Sequence, residues 1–238
     1  MTTSHQPSPS SVETATCVLA GALTRALQKG GDTFGVRRSL DAWGDRTGGL
    51  AAVRVLGADV LTPFVLTGRP LPAEDAALVR TAVRAHPAPR HQPLEAALWG
   101  ARDAALVRAL AALGVDGTDW EGLAPAPPLS GGLAPDWMSL TAVLVPLASA
   151  AHPFTDTALR SQLAGRRLDL SRGLVRALLR RDLLSAARMA RWLVLDTPAA
   201  APDLVTPALE HLEVLGADDP RVQLEVAVAR RLMARTPC

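Results

Sequence analysis

The sequence predicts an all-α protein built from stacked helical hairpins. Three observations carry that expectation. Ala and Leu supply about a third of the 238 residues, and with Arg they are among the best helix formers. No stretch alternates long enough to make a strand. The apolar segments are short and separated by Gly, Pro or Asp, a pattern of tight hairpins rather than of long bundle helices. Apolar residues make up 48% of the chain, enough for a real core at this length, and the length suits one or two domains.

Along the chain, residues 1–13 are rich in Ser, Thr and Pro. They have neither the basic start nor the apolar centre of a secretory signal, so they read as a disordered tail. Helices follow at 14–28, 37–43, 48–56, 73–86, 93–100 and 102–113, forming an N-terminal helical-repeat lobe over 14–121. Residues 122–136 (GLAPAPPLSGGLAPD) hold four Pro and three Gly, the composition of a loop or linker. A C-terminal helical lobe over 137–238 carries helices at 136–150, 156–164, 171–181, 183–195, 203–215 and 220–234. The breaker at 196–203 (DTPAAAPD) ends with Asp203 placed to cap the next helix.

Internal similarity is the strongest signal. DAALVR occurs at 75–80 and again at 103–108, 28 residues later, and Leu50, Leu78 and Leu106 keep one phase. Trp43-Gly44-Asp45-Arg46 and Trp99-Gly100-Ala101-Arg102 share WGxR at twice that spacing. Leu56-Gly57-Ala58-Asp59, Leu113-Gly114-Val115-Asp116 and Leu215-Gly216-Ala217-Asp218 share LGxD, where Gly can close a helix in the left-handed conformation. These residues resemble ankyrin repeats over about 36–120. Gly57-Ala58-Asp59-Val60 with Thr62-Pro63-Phe64 is similar to the ankyrin turn and helix start. Gln92-Pro93-Leu94-Glu95-Ala96-Ala97 resembles a second start, with Gly100 near the inter-helix glycine. Leu174, Ala177, Leu178, Ala187, Val194 and Pro198 resemble one tetratricopeptide hairpin near 174–199. The resemblances imply an α-solenoid of the ankyrin, tetratricopeptide or HEAT kind, with two lobes left open. The plainer alternative is an irregular helical domain whose repeats are compositional.

Composition excludes several chemistries. The chain has no Ile, Asn or Tyr, and Lys29 is its one lysine; this points to a very GC-rich, bacterial genome. Lys29 sits in QKGG, so there is no Walker A phosphate loop. Cys17 and Cys238 are too few for a disulfide framework or a cysteine zinc site. No uninterrupted apolar run reaches the roughly 18 residues of a membrane helix. The expected setting is cytoplasmic, with no membrane, metal or cofactor.

Charge is segregated. Residues 160–195 carry nine Arg and two acids, a net +7, and residues 196–219 carry six acids and no base, a net −6. Arg172, Arg176 and Arg180 share one helical stripe, and Arg166, Arg167, Arg181, Arg188 and Arg191 extend the positive region. Such a face suits phosphates, nucleic acid or an acidic partner; the alternative is pairing with the neighbouring acidic segment. His86 and His91 flank a Pro-rich turn and read as solvated. Asp116-Gly117-Thr118-Asp119-Trp120-Glu121 is too short for a calcium loop and reads as a turn. Leu129-Ser130-Gly131-Gly132 resembles a transporter ATPase signature but lacks a nucleotide site to serve.

The expected function is a non-enzymatic protein-interaction module of the helical-repeat type. Its contacts would come from repeat turns and first helices: Asp59, Thr62, Trp99, Asp116 and Trp120. Two alternatives stand beside it. One is nucleic-acid or phosphate binding by Arg166, Arg167, Arg172, Arg176, Arg180, Arg188 and Arg191. The other is an enzyme assembled from distant residues, which a pocket holding paired carboxylates would support.

Overall fold

The structure is a computed structural model and describes residues 8–29, 34–89, 93–125, 134–195 and 204–235. Among the described residues every regular element is helical. In α1 (Pro9–Lys29), Ala15, Leu19, Leu23 and Leu27 recur every four residues and are buried along one stripe. α2 (Val36–Asp41) is a single short turn. α3 (Arg46–Leu56) starts at Asp45, whose carboxylate accepts bonds from Gly48 N (3.0 Å) and the Ser11 hydroxyl (2.6 Å). Gly57, at φ 60°, closes α3 and opens a 3₁₀ turn over Gly57–Leu61. α4 (Thr62–Thr67) follows directly, with Pro63 in its first turn. α5 (Ala73–Ala85) and α6 (Pro93–Ala112) complete the N-terminal half.

The C-terminal half begins with α7 (Trp137–Leu144) and a short 3₁₀ turn over Ala148–Ala150. α8 (Thr157–Ala164), α9 (Arg167–Leu179), α10 (Leu183–Val194), α11 (Val205–Leu215) and α12 (Pro220–Arg235) follow. Asp136, Asp156 and Asp182 cap α7, α8 and α10 by accepting from backbone N–H groups of the first turn.

The spatial order of the helices differs from their chain order. α3 packs on α5 on one side and α1 on the other; α1 packs on α12, α12 on α10, and α10 on α9. The last helix thus lies between the first helix and the middle of the C-terminal half. In a linear repeat stack each unit touches only its chain neighbours; here the two ends of the described chain are in contact. α10 is deeply enclosed, with Ala186, Ala187, Met189, Ala190, Arg191, Trp192, Leu193 and Val194 all buried. One apolar cluster runs from Ala15 to Leu232, so the halves on either side of 122–136 share a core.

Several expectations change. Residues 9–13 belong to α1 and are not tail; residues 1–7 lie outside the described set. The helices expected at 93–100 and 102–113 are one helix, α6, running through Gly100. α4 was not expected from periodicity, because six residues are too few to show a period; only the ankyrin-like Thr62-Pro63-Phe64 marked a helix start there. Of the 122–136 segment only 122–125 and 134–136 are described, and these ends are anchored: Ala88 N donates to Gly122 O (2.9 Å) and Ala124 N to the Asp103 carboxylate (2.7 Å). The whole breaker at 196–203, Asp203 included, lies outside the described residues, as does Leu129-Ser130-Gly131-Gly132. By mean hydropathy Arg46–Thr67 is long and apolar enough to cross a membrane; 94% of that stretch is buried inside the fold, and Gly57 bends it.

The sequence repeats take different structures. Trp43-Gly44 sits in the turn after α2, with Gly44 at φ 84°, whereas Trp99-Gly100 is inside α6. Of the LGxD glycines, Gly57 (φ 60°) and Gly114 (φ 78°) have positive φ and Gly216 (φ −98°) does not. The DAALVR copies do share a feature: Asp75 and Asp103 are both buried and both accept bonds from distant parts of the chain. Asp75 holds the start of α2 through Val36 N (3.0 Å) and Arg37 N (2.9 Å), and Asp103 holds Arg54 of α3.

Candidate functional site

α9 turns two faces to different environments. Leu170, Gly173, Leu174 and Ala177 face the core. On the other side Leu168, Val175 and Leu179 are 64%, 40% and 81% exposed. At 100° per residue these three fall on one narrow stripe, and Arg172, Arg176 and Arg180 step away from it along one side. Trp137 and Met138 from the start of α7 form the neighbouring wall. The Arg176 guanidinium lies 5.4 Å from the Trp137 ring centroid, and its Nη1 reaches the Met138 sulfur at 3.1 Å. Together these side chains line an open groove of about 760 Å³.

The charge on this groove is positive. Arg172 lies 3.4 Å from Asp169, but that carboxylate also accepts from Arg166 Nε at 2.5 Å. Among the described residues no carboxylate lies within ion-pair distance of Arg176, Arg180 or Arg181. Arg181, at φ 57°, makes the tight turn between α9 and α10.

The rest of the arginine cluster faces inward. Arg191 is fully buried in α10. Its Nε donates to Ala151 O (2.9 Å), and its Nη1 lies 2.9 Å from Glu225 Oε2 and 2.7 Å from Asp59 Oδ1. Arg188 donates to the other Glu225 oxygen at 3.1 Å. Arg166 reaches Ala134 O and Pro135 O, and Arg167 reaches Leu193 O. None of the described ion pairs joins 160–195 to Glu210, Glu213, Asp218 or Asp219. The acids that neutralise the buried arginines come instead from the turn after α3 and from the middle of α12.

A second buried pair joins α3 to α6. Arg54 and Asp103 meet through two guanidinium nitrogens, and Arg54 Nε donates to His86 O at 2.9 Å. Trp99 lies between Arg54 and Arg102, with centroid distances of 4.4 and 4.9 Å. Arg102 Nη2 donates to Val55 O, and its Nε has no partner. Burial and the Arg54 charge lower the Arg102 pKa. Burial pushes the Asp59 carboxyl up, to about 6; Arg191 opposes that shift and Glu225 adds to it. Burial and Arg191 push His152 down to about 4, so it is neutral at pH 7.

These placements divide the residues expected to bind a partner. Asp59, Thr62 and Trp120 are buried at 4%, 3% and 7% exposure. Thr62 spends its hydroxyl on Asp59 O (2.7 Å), and Trp120 lies under the Arg80 guanidinium at 5.1 Å. Trp99 is half-buried between two arginines, and Asp116 is exposed in the turn after α6. They do not form one surface, because the repeat phase that grouped them is not a structural repeat. Of the anion-binding set, Arg172, Arg176 and Arg180 share the α9 groove, whereas Arg166, Arg167, Arg188 and Arg191 hold structure. Sequence reasoning missed Arg54, Asp103, Glu225, Arg102 and Ser149. A signal existed for two of these. Glu225 stands alone in the apolar run VQLEVAVA and Asp103 is repeated in phase, and an acid inside an apolar helix needs a buried partner. Compared with known proteins, the chain matches no family model, no curated protein sequence and no solved structure.

Proposed function

We propose that this protein is a non-enzymatic interaction module that docks an acidic amphipathic segment of another protein on the outer face of α9. The observation that carries the proposal is the exposed stripe of Leu168, Val175 and Leu179 edged by Arg172, Arg176 and Arg180. Large apolar side chains aligned on one helix face are a recognition feature, and a partner helix reads them at helical spacing. The arginines set the sign of the partner's flanks. A nucleic-acid backbone would use the arginines but gain nothing from three leucine-type side chains. A second copy of this chain would bring the same positive face. The chain's own segments also fit poorly: 126–133 (APPLSGGL) carries no charge, and 196–203 has no apolar side chain larger than Pro. The tetratricopeptide-like reading of the α9–α10 hairpin, and with it the helical-repeat class and a cytoplasmic setting, belongs to this proposal.

The test is fluorescence anisotropy with a synthetic amphipathic peptide bearing Leu on one face and Glu on its flanks. A peptide with Gln in place of Glu and a single-stranded DNA oligonucleotide serve as controls. The Glu peptide is expected to bind in the micromolar range, the Gln peptide at least about tenfold more weakly. Leu179→Glu is expected to abolish binding. A Glu peptide that does not bind, or DNA that binds at physiological salt more tightly than the peptide, would overturn the reading.

A further inference from the structure

Between the two halves lies a polar cleft of about 170 Å³. It is lined by the end of α3, the Gly57–Leu61 turn, α6, residues 146–149, α10 and α12. Three arginines line it: Arg102, Arg188 and Arg221. Arg191 stands behind it; of the two carboxylates present, Asp59 is engaged by Arg191, and Glu225 is shared by Arg191 and by Nε of Arg188. Counting Arg191, four cations face two anions, so the cleft is electropositive by two charges.

Its polar groups are also unspent. Ser149 is 94% buried, since only 6% of it is exposed, and its hydroxyl has no hydrogen-bond partner. Arg102 Nε, likewise buried, has none. Arg221 makes no described ion pair, and of the Arg188 nitrogens only Nε is used. A buried hydroxyl without a partner costs roughly 1–3 kcal/mol when nothing satisfies it, so its retention points to something that does. A Cβ built on Gly57 would lie 3.6 Å from Ser149 Oγ and 3.7 Å from Arg102 Nη2, so these two groups converge on one point beside that turn.

We propose that this cleft binds a small phosphate group, held by Arg102, Arg188 and Arg221 with Ser149 donating its hydroxyl. Several guanidinium donors from different helices plus a hydroxyl match the spread oxygens of a tetrahedral anion better than the single plane of a carboxylate. The volume is many times the roughly 10–15 Å³ that one water needs. It is below the roughly 300 Å³ at which drug-sized ligand pockets begin, so the ligand is the free ion or a monoester with a short organic part. Val55, Leu56, Pro146 and Leu224 supply an apolar rim for such a part. None of the cleft residues lies on the α9 face, so this site and the docking groove succeed or fail separately.

The experiment is thermal unfolding of the full chain titrated with inorganic phosphate, with phenyl phosphate and with malonate. Sodium chloride keeps the ionic strength constant. Phosphate is expected to raise Tm saturably, and malonate to give less than half that shift. A larger shift with phenyl phosphate assigns a monoester; a larger shift with phosphate assigns the free ion. Arg221→Gln removes a rim donor that supports no other described contact. It is expected to leave the unliganded Tm unchanged and to weaken binding about tenfold. Ser149→Ala should weaken it less, while the unliganded protein keeps or gains stability. No phosphate-specific shift, an equal malonate shift, or titrations untouched in the Arg221→Gln/Ser149→Ala double variant would overturn the proposal.

Discussion

α9 and α10 are the two arms of one hairpin, and they use arginine in opposite ways. On α9, Arg172, Arg176 and Arg180 lie on the side turned away from Leu170, Leu174 and Ala177. On α10, Arg191 is fully buried, and Arg188 reaches inward to the same carboxylate of α12. The composition of the two arms is similar, and the difference is helical phase. An arginine whose Cβ points at the core must find a carboxylate there or be excluded. One whose Cβ points outward keeps its charge available. A net charge of +7 over 160–195 therefore mixes arginines held by carboxylates or carbonyls, such as Arg166, Arg167, Arg188 and Arg191, with Arg176, Arg180 and Arg181, which pair with no described carboxylate. Removing one of each kind separates them.

The largest effect should come from Arg191. Arg191→Leu keeps bulk but leaves Asp59 with no paired cation and Glu225 with Arg188 alone. Breaking a buried pair in this way costs about 3–5 kcal/mol. Urea denaturation at pH 7 should show a midpoint lowered by that amount, or no folded baseline. Adding Asp59→Asn and Glu225→Gln should return part of the loss, because the stranded charges go too. If Arg191→Leu alone is as stable as the parent, Arg191 is not the hub of the two halves.

How far this was readable beforehand depends on the residue. The helical class and the terminating Gly57 and Gly114 follow from local chemistry, which sequence displays; the caps at Asp45, Asp136 and Asp156 are equally local but went unread, Asp136 and Asp156 being counted as helix residues. The arginine stripe on α9 was legible too, since 172, 176 and 180 are one period apart. Its pairing state was not. Arg191 meets Glu225 across 34 residues and Asp59 across more than a hundred, and Arg54 meets Asp103 across 49. Such pairs are set by which helices become neighbours. That neighbourhood is decided when α12 packs beside α1, a contact between the chain's ends that no local period encodes. Genomic enrichment in Ala, Leu and Arg made repeats look more regular than the helices they occupy. Trp43 and Trp99 share a motif but not a conformation.

A second effect sharpens the comparison through pH. His152 folds with its pKa pushed down to about 4 from 6.5, while Asp59 folds with its own pushed up to about 6. The signs oppose. As pH falls from 6.5 toward 4, the unfolded chain takes up a proton at His152 that the folded chain refuses, so stability is lost. The full span corresponds to about 3 kcal/mol. Over pH 6 to 4 the folded chain protonates Asp59 before the unfolded chain does, so stability is gained. His152→Gln should therefore resist acid better than the parent, and Asp59→Asn should resist it less. Denaturation midpoints at pH 7, 5.5 and 4.5 measure both, and parallel curves for the three proteins would refute the assignment.

Gly57 comes next. Its φ of 60° with ψ of −128° belongs to glycine. A Cβ would meet only ordinary contacts, so Gly57→Ala tests backbone strain and not crowding. The expected cost is about 1–2 kcal/mol, read as a lowered Tm. Gly68→Ala, in the left-handed helical region at φ 73° and ψ 17° with open space around it, should cost less, about 1 kcal/mol. A loss at Gly57 no greater than at Gly68 would mean that the turn relaxes away from its strained conformation.

The smallest effect on stability belongs to the outer face of α9, where it is the most informative. Arg180 makes no described contact that folding depends on, and Leu179 is 81% exposed. Substituting either should change unfolding free energy by less than about 0.5 kcal/mol. Leu179→Glu could even raise solubility by removing an apolar side chain from water. Loss of peptide binding with unchanged stability would place Leu179 and Arg180 in the interface. A destabilisation comparable with that of Arg191→Leu would instead place the α9 face inside the fold, covered by a segment of the chain itself.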